Sequence, residues 1–420
     1  MSQPHIRVAI IGGGLAGATL ANALIKVPHL DLDLYESSPE LSERGAAVGL
    51  TSNAQRALDQ ILPSMRQSLN KAGAVLMNSS RIVLGSGPDA GTLVFDLAGA
   101  GDPGVVVHRA SLMREIIAPL PEEIIHTSHE LSEIRTEGDE LEIIFQNGSV
   151  KRFDAIIGAD GIFSKVRNYV VGNFSEHQAS PAGFWDCRLL IPFEKARSVI
   201  GDQFFELDRQ YGWIGDNAFI MHDVLDNRTM VQVVVSAIEK DPPNDRKRPL
   251  TKELLIETSS NWLEGPIAKG VIDLLLEPGD LKAYSQWEQK STPTYSKGNV
   301  CLLGDAAHAT TPWQGSGAGL AIEDAMILGH LLSHIKTRDE LNAAFKAYDA
   351  VRRPRGQQVI DSSRGTGQIF CGQNQEIGLD PDKLRELLPG RWGFIMSLDV
   401  HQHKQDALEA MQAILKTDVE

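Results

Sequence analysis

The stretch from residue 5 to residue 36 narrows the choice of folds more than any other. It reads as an apolar strand, HIRVAII, a turn, GGGLAG, a helix, ATLANALIK, and a second strand, LDLDLYE. Gly12, Gly14 and Gly17 have the spacing G-x-G-x-x-G, which permits a tight turn, close approach of backbone to a pyrophosphate and tight helix packing. The helix then presents its unsatisfied N–H donors to phosphate groups. Glu36 ends the second strand at about the 20-residue spacing where an acidic side chain accepts from ribose hydroxyls. The unit predicts a parallel sheet with crossover helices and a dinucleotide site.

The run from Val8 to Ile25 is apolar enough to mimic a signal peptide or a membrane span. Gly12, Gly13, Gly14, Gly17 and Asn22 interrupt it and no Lys/Arg-rich segment precedes it, so neither is expected. The chain has 420 residues, enough for two or three domains. Its net charge of -15 argues against nucleic acid or an anionic membrane as partner, so an acidic small molecule needs local cations. Cys187, Cys301 and Cys371 lie far apart with no C-x-x-C pair. That pattern points to no disulfide framework, no metal site and a reducing, cytoplasmic setting.

Further along, a helix is expected from Asn53 to Leu62, with strands around Ile82 and Val105. Residues 44–50, RGAAVGL, offer Arg44 and several small residues, Ala47 among them, where backbone can approach a flat ring; the alternative is a solvated arginine in a loop. Arg109 stands between a β-like run and a helix, as a phosphate or ribityl donor or simply a helix-start charge. Residues 131–160 read as a hairpin whose Asn147-Gly148 signals a type I′ turn. Its second strand, VKRFDAII, leads into GADGIFSKVR, where Asp160 and Gly161 form either a turn against a cofactor or a helix cap.

From about 178 to 290 the texture changes to strand-like runs: FWDCRLLIPF, DQFFEL, GWIGDNAFIMHDVL and NRTMVQVVVSAI. These predict a mainly antiparallel sheet, followed by helical stretches between 251 and 276. Residues 299–310 return to the first domain. There Gly304-Asp305 follows the apolar run Val300 to Leu303, and a Pro- and Gly-rich loop opens into a helix-like segment ending near Ala325. The expected division is 1–177 with 291–365 as one discontinuous domain, 178–290 as the sheet domain and 366–420 as a helical tail.

Three segments together, GGGLAG with Glu36, DAIIGADGIFSKVR, and LLGDAAHATTPWQGSGAGLAIEDA, resemble the FAD-dependent aromatic hydroxylases, or single-component flavoprotein monooxygenases. The last segment is especially similar to the salicylate hydroxylase-like branch common in fungi. The resemblance spans nearly the whole chain in the family's order. It implies a Rossmann-like FAD-binding domain with an inserted antiparallel substrate domain. Gly12, Gly14, Gly17 and Glu36 would hold the ADP part of FAD, and Asp305 would meet the ribityl chain and pyrophosphate. Gly317, Ala318 and Gly319 would lie under the isoalloxazine. Arg109, with Leu112, matches the family's R-x-x-L, and Asp160-Gly161 its dual FAD and NAD(P)H motif. Ala47 falls in a GAGI-like segment whose second Gly is here Ala.

The same resemblance implies that NADPH or NADH, bound transiently along the surface, passes hydride to FAD, and that a flavin C4a-hydroperoxide then delivers oxygen to a phenolic ring. Activating the phenol needs a base or a cation in a dry pocket. Arg188 and His222 of the middle sheet are the candidates. Arg188 corresponds to an arginine near the phenolate in fungal relatives, or else it snorkels from an edge strand. His222 accepts the phenol proton or is a structural histidine. The expected substrate is a salicylate-like phenolic acid, hydroxylated with or without decarboxylation. Two competitors stand beside it: a larger phenolic, polyketide or indole substrate, and a flavin-binding NAD(P)H oxidase-like or regulatory protein. A monomer or homodimer is expected.

Overall fold

Ile6–Ile11 has apolar side chains pointing both ways, and such a strand is stable only with both faces covered. In the computed structural model, which describes residues 5–41, 47–98, 103–138, 140–262 and 267–417, it lies inside a six-stranded sheet. The order is Ser296–Lys297, Val300–Leu302, Ala155–Gly158, Ile6–Ile11, Leu30–Tyr35 and Ile125–His126, parallel except for the first pair. Helices Leu15–Leu24 and Gly317–His334 pack together beside it, so closely that a Cβ added to Gly329 would come within 2.6 Å of the Ala23 Cβ. The predicted α/β class with a parallel cofactor sheet is found.

The expected second strand of the hairpin is two strands. Val150–Phe153 pairs antiparallel with Glu140–Phe145, whereas Ala155–Gly158 joins the parallel sheet. Asp154 sits at the break, accepting the Arg7 backbone N–H at 2.8 Å and pairing with its guanidinium at 3.0 Å. Of the turn residues, only Gly148 takes a positive φ, 83°, so the type I′ expectation, which needs two, does not hold. The Asn147 side chain instead accepts the Ser149 N–H at 3.0 Å. DQFFEL is likewise a 3-10 turn, Asp202–Phe204, and no strand.

The middle of the chain forms an eight-stranded sheet. Its order is Lys247–Pro249, Lys282–Glu288, Ser180–Pro192, Met230–Ile238, Ala218–Leu225, Gln210–Ile214, Ser79–Leu84 and Leu93–Ala98. The last two strands come from the segment before residue 177. Residues 79–98 extend this sheet although they stand a hundred residues before it, through the one parallel pair, Gln210–Ile214 with Ser79–Leu84. Helix Leu341–Phe370 also runs through the boundary drawn at 365. One face of the sheet packs Trp185, Tyr211, Trp213 and Val233 against helices Lys252–Thr258 and Ala268–Leu276. The other face turns toward the cofactor sheet and helix Pro381–Met396.

Candidate active site

The turn after Ile6–Ile11 is shaped by missing side chains. Gly12 has φ 110°, and a Cβ there would fall 2.2 Å from the Ala159 carbonyl oxygen; one on Gly17 would fall 2.0 Å from that of Gly12. Neither residue tolerates a side chain, so helix Leu15–Leu24 starts against the strand ends and Gly14, Leu15 and Ala16 line a cavity. Glu36 braces the turn. Its carboxylate accepts the Gly13 N–H at 2.9 Å and the Ser38 N–H at 2.7 Å. Burial opposes the charge, but these donors outweigh it and hold the carboxyl below its usual range.

The second cofactor segment meets the first across nearly three hundred residues of sequence. Gly304, at φ 60°, leaves room for Ala16, whose Cβ would be 2.8 Å from an added Cβ. The Gly304 N–H donates to Asp324 at 3.0 Å, and Asp324 also lies 2.5 Å from His308 Nε2 and 2.7 Å from Arg352 Nε. Arg352, fully buried, reaches Glu323 at 2.9 Å as well, and Arg355 pairs with Glu323 at 2.7 Å. Above this charged base Asp305, Gly317 and Ala318 line the same cavity as Gly14, and Arg109 closes it from the start of helix Arg109–Ile117.

Of the expected cofactor-contact residues that are described, Gly12, Gly17, Glu36, Asp160 and Gly319 do not themselves line the cavity. Gly319 is buried against helix Ser52–Ile61, 3.3 Å from Ala54 for an added Cβ. Asp160 turns away to cap helix Lys165–Val171, accepting Ser164 Oγ, the Lys165 N–H at 2.7 Å and the Val166 N–H at 3.2 Å, while Ala159 and Gly161 face the cavity. Arg44 lies outside the described residues; Ala47, next to them, lines the cavity.

The cavity, about 420 Å³, has the large sheet as its far wall. Alternation decides which residues reach it. Arg188 pairs across the sheet with Val234, and Val234 with Met221, and all three face inward. Asp186 holds the Arg188 guanidinium at 3.0 Å through Nε and 2.8 Å through Nη2. His222 has the opposite parity. Its ring stacks with Trp213 and Tyr211 in the core behind the sheet, and burial pushes its pKa down to about 3. The expectation of a histidine base is therefore corrected: the ring cannot reach a molecule in the cavity. His222→Phe should leave the pH profile of turnover unchanged, and a shifted acid limb in steady-state kinetics would contradict this placement. The inward neighbour is Asp223.

Residues 124–363 match the family described as FAD binding domain. The chain is 33% identical to 6-methylsalicylate 1-monooxygenase of Aspergillus terreus over 98% of its own length and 94% of that protein's. The chain belongs to the FAD-dependent aromatic monooxygenases. Salicylate hydroxylase of Pseudomonas putida is 29% identical to this monooxygenase over 95% of the chain and 93% of the relative. A solved salicylate hydroxylase substrate complex shares the fold, with TM-score 0.84 and 24% identity over 97% of this chain and 98% of that one.

The cradle fits the cofactor of that family. The glycine-shaped turn and helix start at Gly14–Ala16 suit a pyrophosphate, and the loop from Pro312 to Ala318 offers a wall for a flat ring. Among the described helices, none is long and apolar enough to cross a membrane. Sequence reasoning missed Asp223, Gln232, Gln210 and Ser80 on the sheet wall and Trp392 from the tail, all lining the cavity. A signal was available for one of them: Gln232 is the lone amide in the apolar run MVQVVVSAI.

Proposed function

We propose that this monooxygenase hydroxylates a single-ring phenolic acid of the salicylate type, consuming O2 and NADPH or NADH in a reducing, cytoplasmic compartment. One observation carries the reading: the FAD cradle and the Arg188 wall bound a single cavity of about 420 Å³. Small-molecule sites run from about 300 to 1,000 Å³, so one near the lower end that holds a flavin ring leaves room for little more than one substituted ring.

Bound FAD supplies the redox chemistry, accepting hydride and activating O2. The chain's residues bind, orient and keep the site dry. Arg109, Asp305 and the backbone of residues 14–16 and 317–318 would hold the cofactor. Arg188, one edge fixed by Asp186, offers its remaining N–H donors to a carboxylate or phenolate. Phe219, Met221, Trp313 and Trp392 exclude water. Attack at the ring carbon bearing the carboxylate would release CO2; attack at a C–H carbon beside the hydroxyl would keep it.

Asp305→Ala should weaken FAD binding about 10–100-fold, the loss expected for one hydrogen bond to a charged group. Visible absorbance of the purified variant checks this, and full flavin content would remove Asp305 from the cradle. For the reaction, a panel of salicylates and other phenolic acids is to be screened for stimulated NAD(P)H oxidation with product detected by mass spectrometry. Products only from multi-ring phenols or indoles would replace the substrate class, and oxidation without any product would favour an oxidase-like or regulatory protein.

A further inference from the structure

The wall opposite the flavin-side loop carries one hydrogen-bonded polar row across four strands whose other residues on this face are apolar apart from Ser236. Asp223 pairs with Gln232 in the ladder of Ala218–Leu225 and Met230–Ile238. Gln210 and Ser80 pair in the next ladder. Their side chains are wired in one direction. Ser80 Oγ donates to Gln210 Oε1 at 2.6 Å, and Gln210 Nε2 donates to Asp223 Oδ1 at 3.0 Å. From the other side the Ala47 N–H donates to Gln232 Oε1 at 3.1 Å, and Gln232 Nε2 donates to Asp223 Oδ2 at 3.3 Å. The two chains of donors converge on one carboxylate, through Gln210 and Gln232. Asp223 is only 3% exposed and lines the cavity.

A carboxylate buried with only two neutral amides as partners is costly, and apolar residues at these four positions would serve packing better. Resting on the phenolic-acid reading, we propose that Asp223 is the general base that accepts the hydroxyl proton of the substrate. The substrate O–H bond breaks, an Asp223 Oδ–H bond forms and the electron pair stays on the ring oxygen, raising the ring's electron density for oxygen transfer. The proton returns to that oxygen when the oxygenated ring loses its own C–H proton to solvent and regains aromaticity. The acid group of the substrate cannot sit at Asp223, since like charges repel; it belongs at Arg188.

Among the described residues, the charged side chains lining the cavity are Arg109, Arg188, Asp223 and Asp305. Burial pushes the Asp223 carboxyl up to about 6, while Gln210, Gln232 and the Arg188 charge pull the other way. A base in that range is ionised at neutral pH and still protonatable, which suits proton transfer. Gln210 and Gln232 are positioning residues: they fix the carboxylate and its ionisation.

The test uses FAD-loaded enzyme and three proteins: wild type, Asp223→Asn and Gln210→Met. Wild-type kcat/KM should fall as pH drops through about 6. Asp223→Asn should keep its flavin spectrum yet lose about 10²–10⁴-fold in turnover of an un-ionised phenol, the usual contribution of a general base. The deficit should close with a nitrated or polyfluorinated phenolic acid that is already ionised at the assay pH. Gln210→Met keeps the base but removes a donor, so its acid limb should move to higher pH. Wild-type-like rates in Asp223→Asn, an equal loss with the pre-ionised phenol, or an unmoved limb in Gln210→Met would each overturn the proposal. Should Asp223→Asn fail to fold, the limb of Gln210→Met decides. A wild type that oxygenates no phenolic acid would instead remove the function on which the proposal rests.

Discussion

Replacing Arg352 by methionine is expected to destabilise the protein by about 3–5 kcal/mol, because it leaves buried carboxylates without their cation. Arg352 has no exposed surface and holds Asp324 at 2.7 Å and Glu323 at 2.9 Å. Burial alone would raise both carboxyls, but the Arg352 charge, with His308 at Asp324 and Arg355 at Glu323, holds both below the carboxylate range. Their folded pKa values are thus depressed. The stability they contribute is present above their unfolded values of about 4 and is lost only as pH falls through the lower folded values. In Arg352→Met that contribution shrinks, so the gap between variant and wild type is largest at neutral pH and narrows on acidification. Urea unfolding of the holoenzyme at several pH values measures it. A neutral-pH difference under about 1 kcal/mol would contradict a structural role for this network. Since Asp324 also holds the Gly304 N–H, the variant should lose FAD as well as stability.

Arg188→Met should raise KM for a phenolic acid about 10–100-fold, the value of losing one charge-assisted hydrogen bond to a bound anion, and leave flavin content intact. Asp186, which holds Nε and Nη2 of Arg188, would lose this partner. The kcat should fall less than kcat/KM, as expected when binding common to ground and transition states is removed. Steady-state kinetics with salicylate and with an uncharged phenol separate the two effects. Equal KM changes for both would mean that Arg188 does not read the acid group.

The cofactor half was legible because its geometry is imposed locally. Gly12, Gly17 and Gly304 sit where a Cβ would strike backbone or a neighbouring Cβ, so the residue type itself reports the close approach. The substrate half depends on which strands become neighbours and on strand parity. A shift of one position separates His222, behind the sheet, from Asp223, inside the cavity, and the single sequence AFIMHDVL contains both. That residues 79–98 join the large sheet is hidden for the same reason: a parallel pairing with a strand more than a hundred positions away leaves no local trace. Gly319 packs against Ala54, and a glycine that lets two helices approach is indistinguishable in sequence from one that approaches a ligand. Trp392 belongs to a tail whose role emerges only from packing against Phe95 and Phe370.

On the proposed function, oxygen from O2 enters a single-ring phenolic acid held between the flavin cradle and the Arg188 wall. Turnover of the FAD-loaded enzyme with NAD(P)H and a salicylate panel under ¹⁸O2, followed by mass spectrometry, tests it directly. The expected result is a hydroxylated product carrying one ¹⁸O atom. NAD(P)H consumed across the panel with hydrogen peroxide and no labelled product would contradict it.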